Sequence, residues 1–174
     1  MDDLFPSFKE KAEAASAEVH RFAGPAQALS FILETARELG GTTVWAPGRF
    51  LADAGNLEPA GFTFNVTTEA AAGATLGISQ ADWALADTGT LVLDSTGAAQ
   101  RLASSLPRVH LALVGADRIL PGLAEVLPHI RPEKAGYLAM ITGPSRTADI
   151  ERVLTIGVHG PERLIIVFVE GIAS

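Results

Sequence analysis

The run Leu164-Ile-Ile-Val-Phe-Val169 contains no polar position, and this constrains the fold more than any other feature of the chain. Six consecutive apolar, mostly β-branched residues leave neither side of a strand for solvent, so the segment reads as a strand covered on both faces. Val109–Val114 reads the same way. Between and before these runs lie segments of helical spacing. Leu29, Ile32, Leu33, Ala36 and Leu39 form one stripe, opened by Gly24-Pro25 and stopped by Gly40-Gly41. Ala98–Leu106 and Gly122–His129, the latter introduced by Pro121, predict two more helices, and Ala148–Ile156 a short one. Thr42–Ala46, Thr63–Thr67 and Tyr137–Thr142 read as further strands, and Asp82–Asp94 as two strand segments meeting at Gly89. Glu69–Leu76 is Ala-rich and helical in pattern, against two glycines. Strands alternating with helices predict an α/β fold, a mostly parallel open sheet with helices on both faces.

Two local readings stay open at this level. Residues 4–22 read as one N-terminal helix, or as a helix that gives way to a short strand at Glu18–Phe22. Pro47-Gly48 has the residues of a type II turn, with Arg49 just beyond it.

The chain has 174 residues, the size of one domain. No stretch without Asp, Glu, Lys or Arg exceeds 12 residues, short of the roughly 20 that a membrane span takes. The acidic start, Met1-Asp2-Asp3, lacks the regions of a secretory signal, and the expectation is a cytoplasmic protein. With no cysteine, no disulfide, thiolate nucleophile or cysteine-held cluster is available. Redox chemistry would then need a bound organic cofactor or a partner. A net charge of -7 without a basic run argues against nucleic acid as a partner.

Three polar, glycine-containing stretches interrupt the apolar strands. The first, Ala86-Asp87-Thr88-Gly89-Thr90, offers a carboxylate between apolar segments. Partial burial would raise its pKa and suit it to proton transfer or attack; the alternative is a bulge whose Asp and Thr bond to the local backbone. The second is Thr142-Gly143-Pro144-Ser145-Arg146-Thr147-Ala148-Asp149-Ile150-Glu151, placed where a strand would end and a helix begin. Ser145, Arg146 and Thr147 would there complete a site for a small anionic ligand at a helix N-terminus. Alternatively, Thr147 is an N-cap followed by the first-turn acids Asp149 and Glu151. The third, Gly157-Val158-His159-Gly160-Pro161, leaves His159 free to enter a cleft as an acid–base group or to lie in solvent. His20, His110 and His129 have no polar motif around them and read as structural. Arg101 is either an anion clamp or a surface cation. No histidine pair has metal-ligand spacing, and phosphate-loop and dinucleotide fingerprints are absent. Parallel strands present their carboxyl ends on one side, so the three stretches are expected to meet there.

Taken together, these stretches resemble the LUD-domain family, specifically its lactate-utilisation protein C branch. Arg101 with Leu106-Pro107 before a strand adds to the resemblance. It implies a fold similar to the sugar-phosphate isomerase and CoA-transferase superfamily, which includes a folate cyclo-ligase. It also implies a cytoplasmic, non-cluster role in oxidising L-lactate to pyruvate beside iron–sulfur partner subunits. Asp87 and His159 would be the catalytic candidates, and Thr88, Gly89, Thr90, Arg101, Ser145, Arg146 and Thr147 the ligand-binding ones. The resemblance assigns no cofactor and no metal. One position departs from the pattern. The family usually carries Glu where this chain has Asp87, which retracts the carboxylate by about 1.5 Å. A stand-alone enzyme of carboxylate or acyl chemistry, and a scaffold with an idle cleft, are the other readings.

Overall fold

The two apolar runs become neighbours at the centre of the molecule. In the computed structural model, which describes residues 3–48, 50, 61–130, 136–148, 154–156 and 159–171, they form β7 (Val109–Gly115) and β12 (Arg163–Val169). These pair in parallel, Ile166 opposite Ala112. Four more parallel strands extend the sheet: β1 (Glu18–Phe22) beyond β12, then β4 (Leu76–Gln80), β2 (Thr43–Trp45) and β3 (Phe62–Thr63) beyond β7. All of β7 is buried, as is β12 after Arg163, which is why neither tolerates an alternating polar pattern.

Helix α2 (Pro25–Leu39) covers one face, packing Ala28 and Ile32 against Leu111, Leu113, Ile165 and Val167. The other face is covered in two parts. Over β2 and β4 lie α3 (Thr68–Gly73) and α4 (Ala98–Ser105), joined to the sheet through Val44, Ala71 and Ala103. Over β7 and β12 lie α1 (Phe5–Ala14) and a second, four-stranded sheet. Phe5 and Phe8 of α1 meet Phe168 edge-on, with ring centroids 5.3 and 5.0 Å apart. Such pairs add about 0.5–1.5 kcal/mol each to the area they bury.

The second sheet has the order β8 (Ile119–Leu120), β5 (Trp83–Leu85), β6 (Thr90–Asp94), β9 (Leu138–Ile141). Within it β5 and β6 form an antiparallel hairpin through Ala86–Gly89, and β9 runs antiparallel to β6. Short α5 (Leu123–Val126) follows β8, and a hairpin of β10 (Arg146–Ala148) with β11 (Leu154–Ile156) follows β9.

Several sequence expectations change here. The N-terminal segment is both of its alternatives in turn, a helix to Ala14 and a strand from Glu18. Its reversal is a Schellman motif. Ala17 N–H donates to Ala12 O at 3.0 Å and Ser16 N–H to Glu13 O at 2.9 Å, with Ser16 at φ 70° where glycine is usual. The Glu69–Leu76 helix ends at Gly73, and β4 follows unannounced. The strand expected from Thr63 to Thr67 is only Phe62–Thr63, and Thr67 instead caps α3 by accepting from Ala70 N–H at 3.2 Å. The short helix expected over Ala148–Ile156 is not formed at its ends, which pair as β10 and β11; Asp149 and Glu151 lie outside the described residues. Gly48 is not in the left-handed region that a type II turn requires. Its lack of a side chain serves close approach, since a Cβ there would lie 2.6 Å from Gln80 Oε1. Arg49 lies outside the described residues.

Ion pairs tie the N-terminal strand to its neighbour. Arg163 on β12 bridges Glu18 on β1, with Nη2 2.7 Å from Oε2, and holds that carboxyl below its usual range by hydrogen bonding. Arg21 similarly joins Asp3 and Glu170. All are solvent-facing, so each contributes about 0–1 kcal/mol.

Candidate functional site

The second and third polar stretches meet. Gly143, Pro144 and Ser145, after β9, and His159, Gly160 and Pro161, before β12, border one cavity of about 250 Å³. Ser145 N–H donates to Pro161 O at 2.8 Å, which fixes the two stretches side by side. His159 is exposed at the rim. The floor comes from the start of the buried strands, His110 of β7 and Leu164 of β12, and one wall from Ser104 and Ser105 at the end of α4. The cavity therefore opens at the amino ends of the parallel strands, whereas the sequence placed it at their carboxyl ends. The reason is topological. The strand before Ser145 is β9, a member of the second sheet, so the rule for parallel strands does not govern where it ends.

The first stretch lies beside this cavity and does not line it. The pairing of Leu91 with Ile141 continues to a contact between Thr90 Oγ1 and Thr142 Oγ1 at 2.7 Å. Past that point both chains meet α1. Gly89, at φ +67°, lies so close to the helix that a Cβ would be 2.7 Å from Ala12 Cα. Gly143, at φ +73°, leaves a hypothetical Cβ 3.2 Å from Ala15 C. Arg146 donates to Ala15 O at 2.9 Å and to Ser16 Oγ. These two acceptors sit at the carboxyl end of α1, where a cation is favoured. Arg146→Ala is expected to lower the unfolding free energy by about 1 kcal/mol, since the contact is exposed; denaturant titration checks this.

Asp87 is exposed, against the expectation of partial burial. Its Oδ1 accepts from Thr88 Oγ1 at 3.1 Å, and its Oδ2 would be 2.7 Å from a Cβ on Gly122. The turn itself is held by backbone bonds, Gly89 N–H donating to Leu85 O at 2.9 Å and Asp87 N–H to Pro121 O at 3.0 Å. The side chains of Thr88 and Thr90 bond other side chains, Asp87 and Thr142, and not the local backbone that the alternative reading expected. Arg101 is apart from the cavity and donates to the carbonyls of Ser95 and Thr96, with Tyr137 beneath its guanidinium. Thr147 pairs with Thr155 through the backbone, and its side chain lies outside the described residues.

His110, read from sequence as structural, is the residue this cavity adds. It is 1% exposed, and burial pushes its pKa down to about 4, so it is neutral at physiological pH. Its Nε2 is 2.7 Å from Ser79 Oγ, itself fully buried on β4. The only signal available in the sequence was a polar residue inside an apolar run. A second, more polar cleft of about 310 Å³ lies at the carboxyl ends of β2 and β4, bordered by Gly48, Gln80, Asp82, Asp94, Thr96 and Gln100. Hydrogen bonds already link these groups, Gln100 Nε2 to Pro47 O at 2.8 Å and Asp94 N–H to Asp82 Oδ2 at 2.7 Å. Among the described residues no cluster suits a metal ion, and no helix is long and apolar enough to cross a membrane.

The family model described as LUD domain matches residues 6–169. Among curated relatives, lactate utilization protein C of Halalkalibacterium halodurans is 36% identical over 108 residues, 59% of this chain and 47% of that protein. The proteins of the same name from Geobacillus sp. and Bacillus subtilis are 38% and 36% identical over 51% and 55% of this chain. The chain thus matches less than half of the length of these relatives, 39% and 42% for the latter two. Among solved structures, a DUF162 family protein from Deinococcus radiodurans has the same fold. Its TM-score is 0.66 at 20% identity, over 97% of this chain and 96% of that one.

Proposed function

Because the chain belongs to the LUD-domain family, we propose that it is a cytoplasmic subunit of an L-lactate utilisation system that binds a small anionic ligand beside Ser145 and His159. Its relatives carry the name lactate utilization protein C, which supports the metabolic role. Partner subunits would hold the iron–sulfur clusters, since this chain has no cysteine to ligate one. The observation that carries the site is the joining of two sequence motifs, Gly143–Ser145 and His159–Pro161, around one cavity. Ser145 would hydrogen-bond the ligand, and His159 at the rim would supply charge or a proton.

The other residues singled out in the sequence would act around that contact. Thr90 and Gly89 set the position of the Thr142–Ser145 loop through Thr142 and α1. Arg146 anchors the same loop, and Thr147 continues it into the hairpin by pairing with Thr155. Arg101 shapes the Ser95–Thr96 segment. Asp87 and Thr88 are exposed on the adjoining turn and would meet a partner or a larger ligand and not one confined to the cavity.

Deleting the gene in its host is expected to abolish growth on L-lactate as sole carbon source while leaving growth on glucose intact. The wild-type gene should restore growth, and Ser145→Ala combined with His159→Ala should not. Undiminished growth of the deletion strain on L-lactate would refute the metabolic role. Full complementation by the folded double variant would refute the site.

A further inference from the structure

We infer that His110 is the ligand-contacting residue at the floor of this cavity, presenting Nδ1–H to a small monocarboxylate such as a 2-hydroxy or 2-oxo acid. The choice of ligand rests on the function proposed above; the donor rests on the geometry alone.

The argument starts from proton bookkeeping at a buried pair. His110 borders the cavity and is otherwise enclosed, and its Nε2 is taken by Ser79 Oγ at 2.7 Å. Among the described residues Nδ1 has no hydrogen-bond partner, so the cavity is where its partner must come from. Ser79 is fully buried, and its hydroxyl has no partner but His110 among the described residues. A hydroxyl has one proton. Were Nε2–H the donor, that proton would be left without an acceptor in the core, whereas an underused oxygen lone pair is tolerated more readily. Ser79 O–H therefore donates to Nε2, which fixes the imidazole as the Nδ1–H tautomer. A neutral ring held this way is a donor aimed at the ligand space, and what it recognises is an oxygen acceptor.

The surroundings narrow the acceptor. Ile141 and Met140 supply apolar walls and Leu164 an apolar floor. Ser104 and Ser105 border the cavity too, but their hydroxyls already donate to Arg101 O, which leaves Ser145 to supply a hydroxyl proton. The Ser145 hydroxyl and an imidazole N–H at an otherwise largely apolar cavity of about 250 Å³ suit one carboxylate on a short carbon chain. Ser79 acts through His110 and is a positioning residue.

The test uses the full chain, labelled with nitrogen-15. Long-range proton–nitrogen correlation of the imidazole is expected to show His110 protonated at Nδ1, and titration with sodium L-lactate or pyruvate should move that nitrogen saturably. Ser79→Ala frees the tautomer and should weaken binding by roughly tenfold to a hundredfold, the cost of one hydrogen bond to a charged group. Ser79→Thr, which keeps the hydroxyl, should restore it. Protonation at Nε2, an Nδ1 resonance indifferent to both acids, or an equal response to chloride or phosphate would overturn the inference. If Nδ1 responds as expected but the deletion strain grows normally on L-lactate, the donor stands and the metabolic role falls. If growth is lost but Nδ1 is unmoved, the reverse holds.

Discussion

Gly89→Ala is expected to lower the unfolding free energy by about 3 kcal/mol, a large fraction of what a single domain has. Two costs add at this position. The residue sits at φ +67°, where a Cβ crowds its own backbone. The new methyl would also press on α1, with its carbon 2.7 Å from Ala12 Cα and Lys11 C. A helix backbone cannot yield as a side-chain tip can, so either the turn or the helix must move. Since Gly143 and Arg146 dock on the same helix one turn on, movement of α1 would also loosen the cavity loop. Denaturant titration measures the first effect, and amide hydrogen exchange along Phe5–Ala14 the second. A loss below about 1 kcal/mol with unchanged exchange would show that the turn does not need a bare backbone there.

Acidification should weaken the fold well above the range where carboxylates titrate. His110 has a pKa of about 4 in the folded chain against 6.5 in the open one, so the unfolded state binds the extra proton first. Stability from this group is fully present above about pH 6.5 and is lost as the pH falls toward 4, by about 3 kcal/mol in total. His20, lowered by its own burial, adds in the same direction. Glu18 is held down by Arg163 and stays charged through most of this window, so its share is lost lower. Unfolding free energy measured between pH 7 and 4 should fall steeply in wild type and less so in His110→Gln. Parallel slopes in the two proteins would remove His110 as the cause.

The parts of the fold that were legible in the sequence are those where one side of the argument is local. Val109–Gly115 and Arg163–Val169 announce themselves because both faces are apolar, and Pro25–Leu39 because its stripe and its glycine stop agree. Leu76–Gln80 was hidden because Gly77 and Ser79 break its apolar run. Gly77 is bare so that α4 can approach, a Cβ there lying 3.0 Å from Ala103 C, and Ser79 serves His110. One of the two residues that disguise this strand, Ser79, thus supports the cavity floor through His110. At the hairpin after Ser145, an N-cap residue followed by acids is a sound local signal, yet pairing of Arg146–Ala148 with Leu154–Ile156 is decided between segments. Of the three polar stretches expected to meet, Gly143–Ser145 and His159–Pro161 border one cavity and Ala86–Thr90 lies beside it, and which end of the sheet they occupy depends on β9 belonging to the second sheet.

The pairing of β1 with β12 bears on how the chain comes off the ribosome. Arg21 meets Glu170 across 149 positions of sequence, and the loop of α1 meets Arg146 across 131. During synthesis, α1 and β1 emerge early and have no seat until β12 has been made. The central pairs β4–β7 and β2–β4 span far fewer residues and can form first. The nascent chain would carry Phe5, Phe8 and one bare edge of β7 until its last strand arrives, a condition in which chaperone occupancy is expected. The cavity would then be the last part of the molecule to take shape, closing only when the early helix docks on late-made loops.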